Sequence, residues 1–327
     1  SSIKRFNRLD RFHHYAADPA SIIDDQFVIP NFFLSRTHFW FNIYTLYSSS
    51  DVVVHDKDNL DLIYDVLDYQ KLIDSSLGSY TKSSLRSQLS IERINEIKKS
   101  LLLISDGKNP ADKKIIEERI TLSGQKIPEN AEEAKKFFKT LASNVRAQTG
   151  QKNFIEQGVI NFIPYEETLK RYFNVFDLPV ELASIPFLES SFNIKAKSKV
   201  GATGPWQFMD GTGKSFMVIN KNEDQRVNPI IATIAALHLL SQNKKILKTW
   251  DLAVSAYNSG TTHYLLAKQK FKEKNVSLED ILKYYDHPHI GFASSNFYSE
   301  FLALVHTLAY KDKIYNIEEL KKRTEYQ

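Results

Sequence analysis

The sequence predicts an all-α protein, and three observations support that expectation. With 11 Gly and 10 Pro in 327 residues, the chain is poor in the turn residues that many short strands require. Charged residues surround spaced apolar ones, as in Glu92-Arg93-Ile94-Asn95-Glu96-Ile97-Lys98-Lys99 and Glu132-Glu133-Ala134-Lys135-Lys136-Phe137-Phe138, which is a helical period with solvated faces. The one clear β-like run, Asp51-Val52-Val53-Val54-His55, is too short to change the class.

In chain order, the aromatic stretches Phe32-Phe33-Leu34 and His38-Phe39-Trp40-Phe41-Asn42-Ile43-Tyr44 are expected to pack in a core, because aromatics bury more area per residue than other side chains. A helical pattern runs from about 71 to 138. It is interrupted at Ser105-Asp106-Gly107-Lys108-Asn109-Pro110 and Ser123-Gly124-Gln125-Lys126-Ile127-Pro128, both rich in helix breakers. A further break at Thr149-Gly150-Gln151 sets an expected boundary. Beyond it the pattern predicts helices over 164–176, 180–190, 228–243, 250–257, 278–285 and 296–311. The expected organisation is a helical amino-terminal region over 1–149, a second domain over 150–311 and a helical tail over 312–327.

Composition excludes several chemistries. No cysteine is present, which removes disulfides, thiolate nucleophiles and Cys-containing metal sites. The longest apolar run, 230–240, is broken by Thr233 and His238 and falls far short of the roughly 20 residues of a membrane span. The net charge of +4 comes from 43 basic residues scattered among 39 acidic ones, without the clustered face that nucleic-acid binding uses. No metal and no cofactor are expected. His287-Pro288-His289 with His263, and His55-Asp56, read as ordinary loop and strand residues, and there is no glycine-rich phosphate loop or Gly-x-Ser-x-Gly elbow.

A carboxylate in an unusual place marks the candidate chemistry. In the helix expected over 180–190, Leu182, Ile185 and Glu189 fall at i, i+3 and i+7, so an acid continues a stripe that otherwise faces the core. Desolvation and the negative end of the helix both favour its protonated form, as a general acid near neutral pH requires. A solvated helix-end glutamate would carry the same pattern. Next, Ala196-Lys197-Ser198-Lys199-Val200-Gly201-Ala202-Thr203-Gly204-Pro205-Trp206-Gln207-Phe208-Met209 joins a small-residue turn to an apolar strip. Gly201 and Gly204 would admit a bulky ligand, and Ser198 and Gln207 could bond its hydroxyl or acetamido groups. Ala256-Tyr257-Asn258-Ser259-Gly260 ends a helix with glycine in C-cap position, leaving Tyr257 and Asn258 at its mouth.

Taken together, these segments resemble the transglycosylase domain of soluble and membrane-bound lytic transglycosylases, particularly the type called D, within the goose-type-lysozyme-like superfamily. Leu178-Pro179-Val180-Glu181-Leu182 with Pro186-Phe187-Leu188-Glu189-Ser190-Ser191-Phe192 is similar to the family's catalytic motif. Residues 198–209 are similar to its second motif and Tyr257-Asn258-Ser259-Gly260 to its third. Asp224-Gln225-Arg226-Val227-Asn228-Pro229 resembles the connecting segment, and Tyr298 resembles a late tyrosine lining the cleft opposite the acid. The resemblance spans roughly 150–310.

It implies a lysozyme-like fold and cleavage of the β-1,4 bond from N-acetylmuramic acid to N-acetylglucosamine in peptidoglycan, with a 1,6-anhydro product and Glu189 as acid and then base. Ser198, Gly204, Trp206, Gln207, Tyr257, Asn258 and Tyr298 are the implied substrate-binding residues. It also implies export to the periplasm or cell envelope, from a precursor whose leader would precede Ser1-Ser2. Asp210 departs from the family pattern: it is either a helix cap before Lys214-Ser215-Phe216 or a second carboxylate that activates water. The latter would make a muramidase on the same fold. A non-catalytic wall-binding protein, or a scaffold acting through its amino-terminal region, would keep the fold without the chemistry. Type-D relatives usually carry carbohydrate-binding repeats, and none follows here, so residues 1–149 are the candidate for positioning on the wall.

Overall fold

In the computed structural model, residues 10–271, 275–285 and 291–324 are described, and they divide into two compact units. Of the described residues, 10–11 and 38–153 form one and 12–37 with those from 154 onward form the other. The junction lies at 153/154 rather than 149/150, and residues 12–37, which the sequence reading grouped with the amino-terminal region, fold with the second unit. Helices α1 (Asp10–Ala16) and α2 (Asn31–Thr45) open the chain.

In the first unit, strands β1 (Asp51–Asp56), β2 (Ile63–Asp68) and β3 (Val145–Thr149) form an antiparallel sheet in the order β2-β1-β3. All six residues of β1 are buried, as suits a central strand. Only this strand was legible. β2 and β3 carry acidic, basic and amide residues on half-exposed positions and show no apolar run. Helices α3 (Gln70–Ile73), α4 (Ser79–Ser105), α5 (Lys113–Leu122) and α6 (Ala131–Asn144) follow β2. The ends at Ser105 and Leu122 coincide with the two expected breaks. Asn130 caps α6 by accepting from the Glu132 and Glu133 amides, while those two carboxylates sit favourably in its first turn. Val54, Leu62, Tyr64, Leu101, Ile120 and Phe138 share one core. At Gly150 a Cβ would lie 2.3 Å from the Ser48 carbonyl oxygen, so only glycine lets β3 leave the sheet along that path.

In the second unit the described residues form mainly helices: α7 (Lys152–Phe162), α8 (Glu166–Val175), a 3-10 turn (Val180–Ser184), α9 (Ile185–Ser190), α10 (Asp210–Gly213), α11 (Pro229–Leu247), α12 (Trp250–Ser259), α13 (Thr261–Lys270), α14 (Leu278–Tyr284), α15 (Phe292–Ala309), α16 (Lys311–Ile314) and α17 (Ile317–Thr324). Asn228 caps α11, and Pro229 occupies its first turn, where the missing N–H costs nothing. Helix α15 is buried on nearly every face, including Phe297, Tyr298, Phe301, Leu302, Leu304 and Val305. An all-round apolar helix of this kind forms the centre of a domain, and α9, α12 and the 3-10 turn pack against it.

Residues 12–37 close one side of this core. Phe27 is fully buried, its ring 5.5 Å from Phe301 and 6.4 Å from Trp250, and Phe33 meets Tyr298 at 5.4 Å. The Asp18 carboxylate accepts from the Ile22 and Ile23 amides and from the Tyr310 hydroxyl, and the Asp24 amide donates to Glu181 Oε1 at 2.9 Å. The all-α expectation therefore stands, with the small sheet added. No described helix is long and apolar enough to cross a membrane.

Candidate active site

The single helix expected over 180–190 divides at Ser184/Ile185, because Pro186 lacks the N–H that would continue an unbroken ladder and instead starts α9. Leu182 and Ile185 are fully buried, and Glu189 extends their stripe to the last turn. The chain then reverses through two consecutive left-handed residues, Ser191 (φ 52°) and Phe192 (φ 51°), a conformation that L-residues disfavour. Surrounding contacts hold it. The Ser191 and Phe192 amides donate to the Phe187 and Pro186 carbonyls at 2.8 and 3.0 Å, and the buried Phe192 ring packs on Phe162 and Phe187. Helix α7 can approach only because residue 158 is glycine: a Cβ there would lie 2.5 Å from Ser191 O.

Glu189 is half-buried, and burial raises its pKa from 4.5 to about 7. No neighbouring carboxylate or cation contributes to the rise, so desolvation of the charged form accounts for it. A group with that pKa is largely protonated just below neutrality and can give and retake a proton there.

Ser190 joins this helix to the second segment: its hydroxyl donates to the Pro205 carbonyl at 2.8 Å and accepts from the Asn193 amide at 3.1 Å. Within the segment, isolated β-bridges pair Lys197 with Thr203 and Thr203 with Phe208. Ser198 Oγ accepts from the Ala202 amide at 2.9 Å, and Gln207 Nε2 donates to the Gly204 carbonyl at 2.8 Å. These two polar side chains thus shape the turn; both remain half-exposed. Arg226, itself buried, donates Nη1 to the Gly201 and Phe208 carbonyls while Asp224 clamps its guanidinium through two oxygens.

Three expected substrate contacts are corrected. Gly204 (φ +78°) leaves room for the Arg226 carbonyl oxygen, which a Cβ would meet at 1.8 Å, and not for a ligand. Trp206 is 1% exposed and donates Nε1–H to Thr233 Oγ1 at 2.8 Å, so its indole is core and offers no sugar platform. Tyr298 is 3% exposed, between Phe33 and Phe301, and its ring belongs to packing around α15. The backbone of Trp206 does reach the site: its carbonyl accepts the Tyr257 hydroxyl at 2.8 Å. Burial first, and then the charge of Glu189, push the Tyr257 phenol well above its ordinary value, so Tyr257 stays a donor beside the acid. Asn258 is exposed in the last turn of α12, ahead of Gly260 at φ +81°.

Asp210 lies in the first turn of α10, where Met209 is the N-cap residue and no side chain caps the helix. Its carboxylate is 56% exposed and pairs with Lys214 at 2.7 Å, and its charge is felt at Arg226. It is not the cap, and its charge is taken up by Lys214 and Arg226. Among the described residues no three His, Cys, Asp or Glu gather as metal ligands. His55 is buried in β1 and His263 half-buried in α13; His287 and His289 lie outside the described residues. Sequence reasoning missed Ser190, Thr233 and Gly158 as supports. The small residue at 158, inside an apolar helix, was the only available signal for close approach.

Comparison with known proteins agrees with this geometry. The family model "Transglycosylase SLT domain" matches residues 176–279, which include Glu189, the 196–209 segment and Tyr257. A membrane-bound lytic murein transglycosylase D from Escherichia coli K12 is 29% identical over 130 residues, 39% of this chain and 29% of that protein. A putative tributyltin chloride resistance protein from Alteromonas is 37% identical over 100 residues, 30% of this chain and 48% of that protein. The matched part thus spans about three-tenths to one-half the length of these relatives. Through residues 176–279, less than half of its length, the chain is similar to the transglycosylase SLT domain.

Proposed function

We propose that this chain cleaves the β-1,4 bond between N-acetylmuramic acid and N-acetylglucosamine in peptidoglycan by lytic transglycosylation, in the cell envelope where that polymer lies. The observation that carries the reading is the isolation of Glu189: a half-buried carboxyl raised to about 7 by burial alone, with no second carboxylate contributing to its field. A hydrolase that retains or inverts configuration needs two carboxyl groups about the scissile bond. An intramolecular displacement needs one.

Protonated Glu189 gives its proton to the glycosidic oxygen as the bond from that oxygen to the muramyl anomeric carbon breaks. The muramyl C6 hydroxyl oxygen then bonds to the same carbon, and its proton passes to the Glu189 carboxylate, which restores the acid. Water is neither consumed nor released. Tyr257, held by Trp206 O, and exposed Asn258 orient the ring from the end of α12, and half-exposed Ser198 and Gln207 meet it from the opposite segment. This reading also takes support from the matched domain and from the lytic transglycosylase activity for which the type-D relatives are named.

Digestion of purified peptidoglycan followed by mass spectrometry tests it. Muropeptides lighter by one water than lysozyme products are expected, from the wild-type chain and from Asp210→Asn alike. Reducing-end products alone would make the enzyme a hydrolase, and no cleavage would leave a wall-binding protein.

A further inference from the structure

The segment that follows the catalytic helix carries a charge pattern that its folding does not use. From residue 194 to 199 exposure alternates: Ile194, Ala196 and Ser198 are half-exposed, and Lys195, Lys197 and Lys199 are exposed. The alternation has a structural cause. The Ala196 carbonyl accepts from the Gly204 amide at 2.8 Å, and Ser198 exchanges backbone and side-chain bonds with Ala202, so the even positions face the turn and the odd ones project from it. Ser190 Oγ ties the same turn to α9, one residue beyond Glu189.

Among the described residues Lys195 and Lys199 have no ion pair. Lys197 has only the attraction of Asp224, whose carboxylate is already clamped on Arg226. Lys214 is answered by Asp210. Residues 193–228 carry six basic and three acidic side chains, whereas the second unit as a whole has 22 of each. The surplus is local to the turn beside Glu189, and the bonds above fix its backbone before any ligand arrives.

We propose that Lys195, Lys197 and Lys199 form a cationic strip that binds carboxylates of the substrate next to the bond addressed by Glu189. This rests on the proposed substrate, a glycan whose muramyl lactyl groups carry carboxylates, either free or extended by an acidic peptide. Uncharged chitin-like chains lack both, so the strip selects muramyl glycan over plain N-acetylglucosamine polymer. Exposed charge pairs each change affinity by about 1.5- to 5-fold, and three acting together on a polyanion give roughly tenfold, falling as salt screens them.

The test is binding rather than turnover, in the Glu189→Gln background so that the wall stays intact. Co-sedimentation with insoluble peptidoglycan compares the parent, a Lys195→Gln/Lys197→Gln/Lys199→Gln variant and the corresponding triple Lys→Arg variant. The walls used are native, stripped of peptides by an amidase that frees the lactyl carboxyl, and native with carboxyls capped as methylamides. On native wall the Gln variant should bind about tenfold more weakly at low salt, the Arg variant should match the parent, and on capped wall all three should bind alike. In native wall the lactyl carboxyl is bound as the peptide amide, so a gap that disappears on stripped wall assigns the peptide carboxylates, and one that persists shows that the freed lactyl carboxylate serves as well. Equal binding to native wall, a gap that survives capping, or no binding by the parent would each overturn the proposal. Cleavage by the chain with native Glu189, measured separately, tests the lytic reading without bearing on this result.

Discussion

Two corners of the second unit hold a partly buried glutamate and treat it in opposite ways. Glu166, at the start of α8 with 17% of its side chain exposed, lies 3.0 Å from Lys311 Nζ and 3.1 Å from Lys170 Nζ. Burial would raise its pKa, but the bonds and charge of the two lysines outweigh that and hold it below the ordinary value. Among the described residues no cation answers the burial of Glu189, at the end of α9, and its pKa rises to about 7. The same side chain is an ion-paired anion in one corner and a readily protonated carboxyl in the other. The difference teaches that the acid proposed here owes its pKa to the withholding of partners.

The largest expected effect breaks the Glu189 corner outright. Glu189→Gln removes the transferable proton and should lower glycan cleavage by about 10²–10⁴-fold, with an unchanged circular dichroism spectrum. Next in size is the support of both corners by residues 12–37. Phe27→Ala opens a cavity between Phe301 and Trp250 and should destabilise the unit by about 3–5 kcal/mol, read as a lowered denaturation midpoint. A chain cut to begin at Gly150 would lose Phe27 and Phe33 together and should fail to fold.

Stability should move in opposite directions at the two glutamates. Because the folded pKa of Glu189 is raised, the folded state binds its proton more tightly than the unfolded state. Stability contributed by the neutral form is therefore lost as pH climbs from about 4.5 to about 7. At pH 8 Glu189→Gln should thus be more stable than the parent by about 2–3.5 kcal/mol, the upper end corresponding to the full shift, and activity of the parent should decline as pH climbs past about 7. For Glu166 the sign reverses: its lowered pKa contributes stability above the unfolded value, lost as pH falls. Lys311→Met should cost about 1–2 kcal/mol at pH 7, and less in acid, where Glu166 is protonated. Urea unfolding at pH 5 and pH 8 checks the sign at Glu189, and unfolding at pH 3 and pH 7 checks the sign at Glu166.

How far these corners were legible in the sequence depended on whether the signal was local. Glu189 stood out because Leu182 and Ile185 fix the buried face within two turns, and Gly260 marked the mouth of α12 because a C-cap is read from neighbouring residues. The residues misread as substrate contacts were those whose partners lie far along the chain. Trp206 bonds Thr233, Gly204 yields to Arg226, and Tyr298 meets Phe33, so a motif position alone could not tell a ligand-facing ring from a buried one. The aromatic stretch near residue 33 was recognised as core, but nothing local said which unit's core it would join. Strands β2 and β3 escaped for the same reason, since their pairing with β1 carries no apolar alternation. Glu166 drew no notice at all, because Lys311 is 145 positions away.

The contrast between the corners is tested most directly by an NMR titration of ¹³C-labelled glutamate side chains, with Glu166→Gln and Glu189→Gln used to assign the two resonances. Glu189 should titrate near 7 and Glu166 below the ordinary glutamate value. A Glu189 resonance that titrates at the ordinary 4.5 would remove the proton donor and contradict the assignment of Glu189 as the acid.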